Sequence, residues 1–160
     1  MISQISKNVF QLHFDAFGST VYVLKLGKNI LIDTSSKDNR REILKDLNIL
    51  KLSPEDIDIV ILTHNHWDHI GNLNLFKNAK IINNKNLNQL PEIIKPIKTP
   101  GHTQDSLCFL YEDLLFSGDT IFFNGIGRID LSESQPEKMQ ESLEKLKKIK
   151  YKILCPGHID

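Results

Sequence analysis

Four residues able to ligate a metal fall within six positions of this chain: His64, His66, Asp68 and His69. Imidazole nitrogen and carboxylate oxygen are borderline donors that suit zinc, iron or manganese. The segment directly upstream, Ile57-Asp58-Ile59-Val60-Ile61-Leu62, is short, β-branched and almost continuously apolar. Such a run predicts a strand buried on both faces, and a buried strand that ends in ionisable side chains is how α/β folds build sites. Two further strand-like runs end in Pro100-Gly101-His102 and Pro156-Gly157-His158, and another ends in Gly118-Asp119. In each Pro-Gly-His copy, proline stops the ladder, glycine permits a tight turn, and histidine is left beyond the strand tip. Five of the chain's six histidines are used in this way. The sixth, His13, lies in an alternating strand-like run and reads as structural or exposed.

The elements that must carry these residues follow from periodicity. Val9 to Phe14 alternates as a half-buried edge strand. Val21 to Leu26 and Asn29 to Ile32 flank Gly27-Lys28 as a hairpin, and the second strand runs into Asp33. A helix is predicted from about Asp38 to Leu50, with Ile43, Leu44, Leu47 and Leu50 on one face. After the histidine cluster, Ile70 to Phe76 predicts a short helix, followed by a weak strand at 80–83. A second hairpin, Ser106 to Tyr111 and Leu114 to Ser117, runs into Asp119. Ser134-Gln135-Pro136-Glu137 reads as a capping box opening a helix to about Ile149, with Met139, Leu143 and Leu146 buried. A last strand, Tyr151 to Cys155, precedes His158. Both halves thus repeat a hairpin, an aspartate, a helix, and a strand ending near histidine. That order predicts an α/β fold in which two similar β-rich halves pack face to face with helices outside, a four-layer αββα sandwich.

Composition narrows the function classes. A chain of 160 residues with 40% apolar and 25% charged content fits one globular domain. The formal net charge of +0 gives no global field for nucleic acid or an anionic membrane, and neither partner is expected. The lysines at 145, 147, 148, 150 and 152 read as a solvated helix face. Cys108 and Cys155 sit in apolar runs and read as reduced core residues, and no stretch resembles a signal core or a span; a cytoplasmic location is the expectation.

The pattern His64-x-His66-x-Asp68-His69, then His102, Asp119 and His158, resembles the metallo-β-lactamase superfamily over nearly the whole chain. The resemblance implies that His64, His66 and His102 hold one divalent ion, that Asp68, His69 and His158 hold a second, and that Asp119 bridges them. Zinc is the expected metal, with iron or manganese as alternatives. Two such ions about 3.5–4 Å apart share a hydroxide that attacks a carbonyl, with Asp68 as the catalytic carboxylate that orients it or passes on its proton. Asp33 is given a supporting role behind the ligands, and Arg128 the ordering of its loop or contact with an anionic group. Asp119 argues against a true zinc β-lactamase, which generally lacks a bridging aspartate. The stretch from Ser117 to Asp130, with Gly125-Ile126-Gly127-Arg128, is instead similar to glyoxalase II-type thioesterases. By itself Gly125-Ile126-Gly127 reads as a plain loop.

The expectation is therefore a dinuclear hydrolase of a thioester or related ester, acting on a small molecule, in a single domain (1–160) with no C-terminal recognition domain and with a homodimer as one way of completing its walls. The alternative is a persulfide dioxygenase with one iron on His64, His102 and Asp119. A phosphodiesterase or ribonuclease, a β-lactamase and a binding protein without turnover rank below these. Trp67, Phe122 and Phe123 are near enough in sequence to line a mouth, although ordinary packing is the role expected of them. Substituting Asp119 with Ala is expected to cost bound metal and activity together, whereas His13→Ala leaves both near the parent's values, as metal analysis and turnover would show.

Overall fold

The computed structural model describes residues 1–159, and the chain divides into two compact units, 1–82 and 83–160. In the first, the strands are β1 (Ile2–Ser6), β2 (Val9–Leu12), β3 (Val21–Lys25), β4 (Asn29–Ile32), β5 (Ile59–Ile61) and β6 (Lys80–Ile82). They form one sheet in that order, antiparallel from β1 to β4 and parallel from β4 to β6. The run at 9–14 is therefore not an edge: Ile2–Ser6 pairs outside it and takes that position. Helix α1 (Arg40–Ile49) makes the crossover from β4 to β5, the connection that parallel neighbours require. Its Ile43 and Leu47 are buried with Val21, Val23, Leu31, Val60 and Leu62. Leu44, expected on that face, is exposed; the third buried residue of α1 is Asp46, which pairs with the N-terminal ammonium at 3.4 Å. The alternate residues Leu24, Ile30, Ile32 and Ile61 are also buried, so the centre of the sheet has no solvent face.

The short helix near the cluster begins earlier than its apolar pattern predicts. Helix α2 spans Trp67–Ile70, with His66 at its N-cap, so Asp68 and His69 are helical residues rather than loop ligands. Carboxylate in the first turn is favoured there by the unpaired amides of a helix start. Leu73–Leu75 forms only a 3-10 turn.

The second unit repeats the first in shorter form. Strands β7 (Lys95–Lys98), β8 (Leu107–Tyr111), β9 (Leu114–Gly118) and β12 (Ile153–Pro156) make a sheet in the order β12-β9-β8-β7. Helix α3 (Pro136–Lys147) connects β9 to its parallel neighbour β12, as α1 connects β4 to β5. The Gly125-Ile126-Gly127 segment is not a plain loop: β11 (Gly125–Ile126) pairs antiparallel with β10 (Ile121–Phe122). The capping box at 134–137 does not form either. Gln135 is the N-cap, and Ser134 donates its hydroxyl to the His102 carbonyl at 2.8 Å. Pro136 does occupy the first turn, and Met139 and Leu146 are buried, while Leu143 is half-buried.

Cys108 and Cys155 are both free and buried. Burial pushes the Cys108 thiol up to about 11, partly offset by hydrogen bonds from Thr99 and Thr120, and it pushes Cys155 up to about 12. The folded state holds these protons more tightly than the unfolded chain, so the stability they contribute is complete below the ordinary thiol value of 9.0 and is lost towards 11–12. Native protein at pH 8 is expected to react with a disulfide reagent only slowly and to expose both thiols in denaturant. Rapid native labelling would contradict this burial.

Candidate metal centre

In the first unit the site grows from the end of β5. The chain leaves the ladder at Thr63, whose amide and hydroxyl donate to the two oxygens of Asp33 at 2.8 and 2.7 Å. Asp33 lies at the end of β4, 1% exposed, and also accepts Nδ1–H of His69 at 2.8 Å. Donation through Nδ1 leaves His69 Nε2 as the lone-pair nitrogen, the tautomer a metal ligand requires. The Thr63 hydroxyl lies 3.1 Å from His64 Nδ1 as well. His64 Nε2 and His66 Nδ1 face each other at 3.0 Å, and the His64 ring lies 4.0 Å from that of His69. Asp68 and His69 are buried, and their carbonyls accept from Ser19 N–H (2.9 Å) and Thr34 N–H (2.7 Å). His64, His66, Asp68 and His69 are thereby brought together, with Asp33 behind them.

The second unit gathers the other three. His102 follows β7 and donates Nδ1–H to the Arg128 carbonyl at 2.8 Å. Its Nε2 is 3.6 Å from Oδ2 of Asp119, and Nε2 of His158 is 3.4 Å from that same oxygen. One carboxylate oxygen therefore faces two imidazoles. Asp119 follows Gly118, which has φ +49°, a left-handed conformation that costs glycine nothing. Gly127 backs it: a Cβ there would fall 1.8 Å from the Asp119 carbonyl oxygen and 3.1 Å from the His102 ring. In each unit the donors are imidazole nitrogen and carboxylate oxygen, the types that suit zinc, iron or manganese, and in the second the space Gly127 leaves is what lets Asp119 stand where it does.

Arg128 supports His102 through its main chain. Its guanidinium is exposed and binds Asp130 at 2.9 and 3.1 Å, an ion pair that raises the Arg128 pKa and lowers that of Asp130. Thr63, Thr34, Gly127 and Ser134 were not singled out as functional from sequence. Thr63 directly precedes the cluster and Gly127 precedes Arg128, but neither position reveals its partner. Trp67 and Phe123 depart from the packing role expected of them, at 62% and 61% exposed. Phe122 sits edge-on to His158, ring centres 6.1 Å apart.

Residues 14–85 and 87–158 match the family described as the metallo-beta-lactamase superfamily, and the chain belongs to it. It is 38% identical over 143 residues to a probable metallo-hydrolase of Methanocaldococcus jannaschii, covering 81% of this chain and 70% of the relative. A hydroxyacylglutathione hydrolase of Hydrogenovibrio crunogenus is 30% identical over 143 residues, 73% of this chain and 53% of its own length. The chain thus spans about half of that relative. The subclass B3 metallo-beta-lactamase of Bradyrhizobium japonicum superposes with a TM-score of 0.78 at 18% identity, over 98% of this chain and 77% of that one, a likeness of fold alone. The fold is that of the metallo-β-lactamases, and the relatives named as metallo-hydrolases support a metal-dependent hydrolase. Among the described residues, no helix is long and apolar enough to cross a membrane.

Gly127→Ala is expected to displace Asp119 and lower both bound metal and stability, the latter by roughly 1–3 kcal/mol. Gly125→Ala, where an added Cβ meets nothing within 4 Å, is the control. Metal content and urea midpoints compare the two, and equal behaviour would rule out the backing role of Gly127.

Proposed function

We propose that this protein is a dinuclear, zinc-dependent hydrolase of small thioesters or related esters, similar to the hydroxyacylglutathione hydrolases. The observation that carries the reading is the single Asp119 oxygen lying 3.6 Å from His102 Nε2 and 3.4 Å from His158 Nε2. An oxygen shared by histidines assigned to different ions is the arrangement a bridging ligand needs. His64, His66 and His102 would hold one ion, and Asp68, His69 and His158 the other; each of these side chains and Asp119 offers one ligand atom. When bound, the ions supply Lewis acidity to the scissile carbonyl and lower the proton affinity of a water.

What the chain contributes is order and a proton route. Asp33 and the Arg128 carbonyl fix the tautomers of His69 and His102, so that Nε2 of each faces the centre. Asp68, buried in the first turn of α2, is the carboxylate that orients the nucleophile and takes or returns its proton. No serine or cysteine nucleophile is required, and both cysteines are buried as neutral thiols.

The test is a metal count per chain beside a panel of thioester, lactone, β-lactam and phosphodiester substrates. Two zinc equivalents with thioester turnover, abolished by a chelator and restored by zinc, is the expected result. One iron per chain with oxygen uptake on a glutathione persulfide would instead establish the dioxygenase reading.

A further inference from the structure

Thr99 leads directly into Pro100-Gly101-His102, and Thr120 directly follows Asp119. Both threonines are buried, at 0% and 1% exposed, and their hydroxyl oxygens lie 2.9 Å apart. Behind them the Cys108 thiol donates to the Ser117 carbonyl at 3.4 Å, and its sulfur lies 3.4 Å from Thr99 Oγ1. A hydroxyl and a thiol each carry one proton. With the thiol proton directed at Ser117, the sulfur can only accept. Thr99 therefore donates to Cys108 and accepts from Thr120, so that each group in the chain donates once.

The main-chain bonds of the two threonines stay within their own segments: Thr99 N–H reaches the Ser106 carbonyl at 3.0 Å, and Thr120 N–H the Ser117 carbonyl at 3.0 Å. The hydroxyl pair is what links the turn that carries His102 to the turn that carries Asp119. A second link runs on the other side, where Gly127 N–H donates to the Thr120 carbonyl at 3.3 Å and His102 Nδ1–H to the Arg128 carbonyl at 2.8 Å. Together the two links close a ring around the 3.6 Å separation of His102 Nε2 from Asp119 Oδ2. Two buried hydroxyls add little net stability over two apolar groups of similar shape. What they add is direction, since a hydrogen bond fixes distance and orientation where apolar contact lets two turns slide. We infer that Thr99 and Thr120 are positioning residues for the metal centre, their hydroxyl pair locking His102 against Asp119 and thereby setting how tightly the centre holds its ion. The inference rests on the reading of His102 and Asp119 as ligands and is independent of the thioester substrate.

The test measures zinc affinity of the whole chain by competition with a chromophoric chelator, beside urea midpoints of the metal-free protein. Thr99→Val and Thr120→Val are each expected to lower zinc affinity at least tenfold, the scale on which partners of metal ligands act. Thr99→Ser and Thr120→Ser, which keep the hydroxyl and lose a methyl, are expected to stay within about threefold of the parent. The visible bands of the cobalt-substituted protein are expected to shift in the valine variants and to hold in the serine ones. The double valine variant separates positioning from packing, because it leaves neither threonine hydroxyl unmatched. Its urea midpoint is expected to recover towards the parent's while its zinc affinity stays as low as in the single variants. Zinc affinity that recovers with the midpoint, or that falls in the serine variants as far as in the valine ones, overturns the inference. Parent-like affinity in both valine variants, with zinc lost in Asp119→Ala, overturns the threonine pair alone. Parent-like affinity in Asp119→Ala removes the ligand reading and the inference with it.

Discussion

The carboxylate of Asp33 is the constraint from which the first half of the centre follows. It sits at the end of β4 with φ +60°, and Ser35 two residues on has φ +56°; neither is glycine. Left-handed backbone at such residues costs about 1–3 kcal/mol each and persists only where surrounding contacts demand it. Here the demand is visible. The Asp33 oxygens accept from Thr63 twice and from His69 once, while Thr34 and Ser35 receive the helix that carries the ligands through His69 and Gly71. Buried carboxylate without these donors would be far costlier than the strain. A single acid therefore sets the exit of β5, the tautomer of His69 and, through the Thr63 hydroxyl, the setting of His64.

The second half meets the same need differently. Asp119 is a prospective ligand, and its Oδ2 faces both His102 Nε2 and His158 Nε2. Its position is secured by shape: glycine at 118 allows the left-handed turn, and the absent side chain of Gly127 leaves room for the Asp119 carbonyl. His102 is held at both ends, its ring by the main-chain carbonyl of Arg128 and its own carbonyl by the Ser134 hydroxyl. Main-chain acceptors are indifferent to the side chain that carries them. The position of Arg128 matters to His102 while its guanidinium, out in solvent, binds Asp130.

Much of this was legible in the chain itself. Apolar runs and turn residues located the strands at 21–32 and 107–118, and the last strand, expected at 151–155, is found at Ile153–Pro156 with Pro156 inside the ladder; the hairpin, helix and parallel-strand order recurs in both units as the repeated pattern implies. The errors share a cause. Leu44 and the apolar residues at 70–76 were placed by periodicity, which records which residues prefer burial but not where a neighbouring strand runs out or where a polar network claims the buried positions. Ser134 has the local pattern of a helix cap, yet a carbonyl 32 residues away in sequence takes its hydroxyl.

The order and types of the ligand candidates were determined by sequence alone, because metal chemistry restricts the donors and strand ends restrict where they can stand. Tertiary structure decided which nitrogen of His69 and of His102 is held by a buried acceptor, that one oxygen of Asp119 faces two histidines, and that Trp67 is held out in water. Those outcomes depend on contacts between residues tens of positions apart, such as Asp33 with His69 and Gly127 with His102, and no local pattern encodes the distance at which two distant segments come to rest.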